Sequence, residues 1–474
     1  MSTSSPVTTT PAPHSTTLLL LSLPPSTFLS LDLFSFTTSL TPQTHPFHGL
    51  KLLPLGLHHV SISPGPLSDF SPRTGIWFHA SGAPGSVLAL RWDERRGELV
   101  VVGEEDECVG GRERWVKWWY EGSLVEYRSR GGAGMQEVGD SRVWRELVGL
   151  VGEGTLRRVL GPEEQVCVGS GVVRVWRVDG ASSAGQDRDD EILQKIPLPH
   201  GPQSVEVDKA GASDHNQTLN LLPIDLKRTF PPNAVGRERT LAAQDRSWYL
   251  SHLVNTYLVP HSHYPPVNYT VTIDPGSREL LGELELCFIH ALTLSNFSCA
   301  EAYVRTLALC LTCEERILTN PEFYHKLIEV LITQLGQGLD CFAPPDAVAE
   351  EQDEGGEGRG GVDAWAPDWL TEGPTPVPKL LRRFFRTLKR LLAESELEVD
   401  RRVLEGLLER FGELEKVVEE RFRWVVDAGK VVKRGMVMLE DGEMVELELA
   451  GLLGEEEDEE GEGPVVVVEE EEEM

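Results

Sequence analysis

The hydrophobic pattern of this chain changes period once, and that change limits what it can fold into. Before residue 179 the apolar residues come in short runs, Val87-Leu-Ala-Leu90, Leu99 to Val102 and Val172 to Val178, divided by glycine and proline. Runs of this length between turn residues read as strands. After residue 220 they recur every three to four positions, and Leu280, Leu281, Leu284, Cys287, Phe288, Ala291 and Leu292 fall on one helical stripe. Strands first and helices afterwards predict an α+β protein of two domains. Residues 179–220 keep neither period and are rich in Gly, Ser, Asp and Pro, the composition of a linker.

The first predicted domain, residues 18–178, is β-rich and sandwich-like, with Arg142 to Leu160 as a closing helix. It carries seven of the eleven tryptophans, at 77, 92, 115, 118, 119, 144 and 176, which core packing explains better than a ligand cage. The second, residues 221–428, is an all-α helical bundle. Its first stripe breaks at Asn296. Ser298 and Glu301 then have the spacing of a capping box for a helix that buries Ala300, Tyr303, Val304, Leu307 and Leu311. Asn320 and Pro321 predict an N-cap and a first-turn proline for a third helix through Phe323, Leu327, Ile328, Leu331 and Leu335, ended by Gly336 and Gly338. Lys379 to Leu392 has apolar residues at 380, 381, 384, 385, 388, 391 and 392. A long helix from Glu396 to Asp427 turns Val403, Leu404, Leu407, Phe411, Leu414, Val418, Phe422 and Val425 inward. Beyond it, two apolar-alternating runs flank Asp441-Gly442 as a hairpin.

Charge separates these units from what is attached to them. The chain has 76 acidic and 44 basic residues, a formal charge of −32. Gly435 to Met474 holds 17 acidic residues and no basic one, and Asp346 to Glu372 holds 9 acidic residues and only Arg359. What remains is 50 acidic and 43 basic residues, a body near −7. Residues 429–474 therefore read as a disordered acidic tail and 346–372 as an acidic insertion. Residues 1–17, thirteen of them Ser, Thr or Pro, read as a disordered N-terminal tail. The apolar run Leu18 to Leu23 lacks the positive flank of a signal peptide and is far shorter than the ~20 residues that span a bilayer. Seven irregularly spaced cysteines fit reduced thiols in a cytoplasmic or nuclear protein.

Catalysis would need several convergent groups, and the sequence offers isolated ones. Cys310 and Cys313 form a single C-x-x-C inside a helical stripe, with no second pair at metal-binding spacing. His261 and His263 stand just before Pro265-Pro266 without a neighbouring carboxylate. Gly169-Ser-Gly171 is not a nucleophile elbow, and no phosphate loop between a strand and a helix is found. No catalytic, cofactor or metal residue is assigned. The basic helix is the sharper candidate, because Lys379, Arg382, Arg383, Arg386, Lys389 and Arg390 flank its apolar stripe. Such a face suits a membrane surface or nucleic acid. The competing reading places the stripe in the bundle core and has the cations answer the acidic segments of the same chain.

Many short motifs, in order, resemble the a1-cistron splicing factor family. Leu18-Leu-Leu-Leu-Ser-Leu-Pro-Pro-Ser-Thr-Phe28, Leu31-Asp-Leu33, Phe47-His-Gly-Leu-Lys51 and Pro54-Leu-Gly-Leu-His58 are similar to its opening. Gly75-Ile-Trp-Phe78, Arg91-Trp92 and Trp144-Arg-Glu-Leu147 follow. In the second half come Thr240, Asp245, Ser247 and Leu250, then Leu280-Leu-Gly-Glu-Leu-Glu-Leu286, Ala300-Glu-Ala302, Glu322 to Gln334, and Phe422 with Trp424. The resemblance spans residues 18–428 and implies a non-enzymatic assembly factor of the U5 snRNP. Such a factor binds the large U5 scaffold protein at its RNase H-like and Jab/MPN-like domains. It holds a cytoplasmic precursor particle until the helicase takes that place in the nucleus. The Ser/Thr/Pro tail, the Gly-rich loop at 131–134, the insertion and the acidic end depart from the family pattern. The family uses its C-terminal tail for partner contact, and here Val465, Val466, Val467 and Val468 are the candidate segment, able to add as a strand to a partner's edge. Glu469 to Glu473 would guard it against self-association. No direct nucleic-acid contact and no membrane are expected. A helical adaptor unrelated to splicing is the alternative.

Overall fold

The computed structural model describes residues 16–38, 46–64, 73–80, 86–103, 111–127, 141–168, 171–183, 217–261, 273–342, 365–427, 434–438 and 444–448. The first half runs β1 (Thr16–Leu21), β2 (Phe28–Leu31), β3 (Phe34–Thr37), β4 (Gly49–Leu53), β5 (Gly56–Ser63), β6 (Thr74–Ala80), β7 (Ser86–Asp93) and β8 (Glu98–Val101). After these come α1 (Gly111–Glu121), β9 (Leu124–Glu126), α2 (Ser141–Leu147), α3 (Glu153–Leu160), β10 (Glu164–Val168) and β11 (Gly171–Asp179). One five-stranded sheet has the order β8-β7-β1-β4-β9, and a six-stranded sheet the order β10-β11-β6-β5-β2-β3. In the first sheet β1 lies parallel to β7 and antiparallel to β4. Gly49 permits that antiparallel contact: its φ is +142°, and a Cβ there would stand 2.0 Å from the Leu18 carbonyl oxygen.

Strand alternation sends the six-stranded sheet into two cores. Ile76, Phe78, Val173 and Val175 meet Leu18, Leu50, Leu88 and Leu90 of the other sheet, so the two sheets form a sandwich. The intervening residues Trp77, Trp176 and Val178 point to the opposite face and join the core of the helices. The result is three layers: sheet, sheet, helices.

The helical half comprises α4 (Arg237–Gln244), α5 (Ser247–Leu253), α6 (Pro275–Thr293), α7 (Phe297–Cys310), α8 (Glu314–Thr319), α9 (Pro321–Thr333), α10 (Asp368–Thr371), α11 (Val377–Glu394) and α12 (Glu398–Phe422). The predicted hairpin is present, with β12 (Arg434–Met438) antiparallel to β13 (Met444–Glu448). The strand runs at β7, β8 and β11 and the helical stripes of α6, α7, α9, α11 and α12 are those the sequence predicts, in that order, whereas α1, α4, α5, α8 and α10 are additional.

Several details differ. The single helix expected over 142–160 is two, broken between Leu147 and Glu153, where Leu150 and Val151 donate their N–H groups to the Glu285 carboxylate instead of continuing the helix. Asn296, not Ser298, caps α7, accepting from the Cys299 N–H at 2.8 Å. Asn320 makes no side-chain cap; its amide donates to Asp274 instead. Gly336 and Gly338 do not end α9, which passes into a π turn over Gln334–Gly338. Val425 is exposed because Arg423 adopts a left-handed conformation that ends α12 and folds Trp424 back on Phe422, ring centroids 4.8 Å apart. The described ends of the segment read as a linker are tied down: Ser183 bridges Thr218, and the Gln217 amide donates to the Leu160 and Arg177 carbonyls.

Candidate functional site

The richest buried polar chemistry lies where α6 enters between the sandwich and the other helices. The stripe of α6 read from the sequence shows one apolar face, yet Glu279, Glu283, Glu285 and His290 are buried as fully as the leucines. Gly282 is what allows this. A Cβ there would stand 2.5 Å from the Leu150 carbonyl oxygen, so only glycine lets the helix approach the α2–α3 turn. On either side of it the carboxylates reach across. Arg158 of α3 pairs with Glu279 at 3.2 Å and with Glu283 at 2.7 Å. Thr155 donates to Glu279, and the Leu222 N–H to Glu283. Glu285 accepts from Leu150 at 2.7 Å and Val151 at 3.2 Å. Burial holds the Glu285 carboxyl well above the usual carboxylate range, against the lowering effect of those N–H groups.

Further along α6, Trp77 of β6 donates its indole N–H to His290 Nε2 at 2.7 Å. That bond leaves the His290 proton on Nδ1, which lies 3.7 Å from the Cys299 sulfur. Contact with Cys287, and then with His290, lowers the Cys299 thiol, while the same sulfur contact raises Cys287. Both sulfurs are sealed from solvent. Asn296 completes the join, its amide donating to the Asp179, Gly180 and Ser182 carbonyls while its oxygen caps α7. These groups bind the layers to one another.

Two further clusters look catalytic in composition and are structural in geometry. Asp32 sits between His58 at 2.7 Å, the Tyr127 hydroxyl at 2.5 Å and the His59 N–H at 3.0 Å. The other nitrogen of His58 faces the Pro54 carbonyl at 2.9 Å. Burial opposes charge on that ring, but Asp32 outweighs it and raises the His58 pKa. With both ring nitrogens directed at acceptors, His58 has no lone pair for a general base. Asp245 accepts from the Ser247 N–H and hydroxyl and from the N–H groups of Glu314 and Glu315. The Ser247 oxygen accepts from the Arg316 N–H at 3.0 Å. The Asp-x-Ser motif is thus the cap of α8, donated by a distant segment.

The residues singled out from the sequence do not converge. Cys310 and Cys313 are buried and hold the helices: burial pushes the Cys310 thiol up to about 12, and the Tyr324 hydroxyl donates to the carbonyls of both. His261 ends a 3-10 turn, and His263 lies outside the described residues, as do Ser170 and Val465 to Val468. Among the described residues no three His, Cys, Asp or Glu side chains are placed to hold a metal ion. The apolar face of α11 is in the core through Leu380, Leu381, Phe384, Phe385 and Leu388, while Lys389 pairs with Asp427 and Arg390 with Glu314. The stripe lies in the core as the second reading has it, but the acids found on Lys389 and Arg390 belong to the body and not to the acidic segments.

Sequence reasoning missed one surface. Trp248 of α5 is exposed and stacks on His252, ring centroids 5.1 Å apart, while Tyr257 and Val259 are exposed in the turns that follow. The signal was present as an aromatic pair four residues apart, opposite the buried Tyr249, Leu250 and Leu253. None of the helices described is long and apolar enough to cross a membrane. Two family models match the chain: the AAR2 N-terminal domain over residues 14–161, and the AAR2 C-terminal repeat region over residues 221–427.

Proposed function

The chain belongs to the AAR2 family of splicing factors, and from that premise we propose that it is an assembly factor of the U5 snRNP. The observation that carries this reading is the match of both halves in order, from β1 to the turn at Phe422 and Trp424. In the proposal it binds the large U5 scaffold protein at its RNase H-like and Jab/MPN-like domains and delays the helicase until the precursor particle has matured. It acts by binding rather than by catalysis, in the cytoplasm and then the nucleus. The geometry supports this. The buried carboxylates, imidazoles and hydroxyls described above are turned on backbone groups and on one another, not on an open cleft. An acidic exterior disfavours RNA and complements a basic, RNA-facing surface on a protein partner.

Affinity purification of the full chain with protein identification tests the proposal. The U5 scaffold protein should be recovered, without the helicase in the same particle; recovery with no U5 component overturns it. Within that reading, Val465 to Val468 add as a strand to an edge of the scaffold protein. Val465→Asp with Val467→Asp in the full chain should then weaken capture, and undiminished capture removes the strand-addition step.

A further inference from the structure

β5 carries two histidines in succession, and strand alternation sends them into different cores. His58 faces the sandwich, stacked on Phe78 with ring centroids 5.4 Å apart and set edge-on to Tyr127. Its ring nitrogens stand 2.7 Å from Asp32 and 2.9 Å from the Pro54 carbonyl, so a proton on either has an acceptor. His59 faces the helices. Its ring lies 4.6 Å from that of Trp77 and 5.8 Å from that of His290, and the residue is sealed from solvent. Its Nε2 has no hydrogen-bond partner among the described residues. Gly75 makes room for that nitrogen, since a Cβ there would stand 2.6 Å from it, and supplies no acceptor.

The described groups around His59 do not favour a positive charge on it. On α6 it meets His290, whose Nε2 accepts the Trp77 indole N–H and whose Nδ1 faces Cys299 of α7. In the β2–β3 turn, Asp32 accepts the His59 backbone N–H at 3.0 Å, but its other oxygen takes His58 and Tyr127. Trp144 of α2, stacked on Trp77, brings no charge. Elsewhere on α6, Arg158 holds Glu279 and Glu283, the α2–α3 turn holds Glu285, and Arg73 donates to the Thr293 carbonyl at the helix end. Burial, and then the like charge of His290, hold His59 well below the ordinary histidine range. Burial opposes charge on His58 too, but there Asp32 outweighs it and raises the pKa.

The two neighbours therefore respond to acid in opposite senses. The contribution of His58 to stability is complete below the unfolded pKa of about 6.5 and fades as pH rises. That of neutral His59 is complete above the same value and is lost as pH falls below it. We infer that His59 is an acid release between the layers: a proton on it parts α6 from the six-stranded sheet, while the sandwich, held by His58 and Asp32, keeps its own core. A charge on His59 in the closed joint is buried beside His290 with an N–H that lacks an acceptor, and parting the layers brings water to it.

Amide hydrogen exchange of the full chain at pH 7.5 and 5.5, read by mass spectrometry and corrected for the intrinsic rate at each pH, tests the release. Glu285 titrates in the opposite sense on the same helix, so Glu285→Gln is present in every chain compared. Protection of residues 286–292 of α6 should fall about tenfold more than that of β1 and β7 between these pH values. That ratio is what one proton, bound only when the joint opens, gives over one pH unit below 6.5. Equal losses in α6 and the sandwich, or no loss in α6, overturn the proposal. Adding His59→Phe keeps a ring on Trp77 without an ionisable group, and adding His59→Gln keeps a neutral polar side chain. Either should abolish the tenfold difference; a difference that persists in either variant assigns the acid response to another group and refutes the role of His59.

Discussion

Asp32, Asp245 and Glu285 each turn a carboxylate onto backbone N–H groups of a segment far away in sequence. Glu285 is the one whose protonation matters most, because it is sealed between α6 and the α2–α3 turn and its pKa is raised by burial. The native state holds this proton more tightly than the unfolded chain does. Its contribution to stability is therefore complete below the unfolded pKa of about 4.5 and is lost as pH rises toward the folded value. Glu285→Gln keeps an acceptor without an ionisable group, so its denaturation midpoint should fall less than that of the natural protein between pH 5 and 9. Parallel profiles would mean that Glu285 is ionised in the folded state. Glu285→Ala leaves the buried Leu150 N–H without its acceptor, while Val151 keeps the Val148 carbonyl, and should cost about 1–3 kcal/mol at any pH, measured by urea titration. None of this was legible from the stripe of α6. Leu280-Leu-Gly-Glu-Leu-Glu-Leu286 shows its leucines as core, but the meaning of Gly282 and the glutamates depends on a turn more than 120 residues earlier.

At the level of elements, the short helix α8 shows how a motif acts at a distance. Six residues cannot hold a helix by themselves. Asp245 and Ser247 hold its first turn from α5, and Arg316 returns the contact through Ser251 and Ser277. Asp245→Ala should destabilise the protein by about 2 kcal/mol and speed hydrogen exchange at Glu314 and Glu315 selectively; unchanged exchange there would show that the cap is not what orders α8. The strands and the long helices were legible because period 2 and period 3.6 are local properties. Caps were less so. Ser298 and Glu301 have the right spacing, yet Asn296 takes the role because its amide also reaches the carbonyls that follow β11. The break at 147–153 was hidden for the same reason, since the unpaired N–H groups are satisfied by another helix.

For the molecule as a whole, the two halves share a core. Trp77, Trp144, Trp176 and Val178 pack in the same apolar cluster as Leu281, Phe288 and Tyr303, and the Trp77–His290 bond crosses it. The β-rich and helical regions should therefore unfold together. Tryptophan fluorescence, which reports chiefly on the first half, and helical circular dichroism should give coincident urea transitions. Two separated transitions would show that the regions are independent after all. The sequence by itself determined the class of each half, the order of the elements, the uneven placement of charge and the family, because these rest on local period, composition and motif order. Only the tertiary structure decided which polar residues are buried, what caps each helix and that the six-stranded sheet has a core on both faces. Those outcomes depend on which distant backbone groups arrive without partners, and a linear pattern carries no record of that meeting.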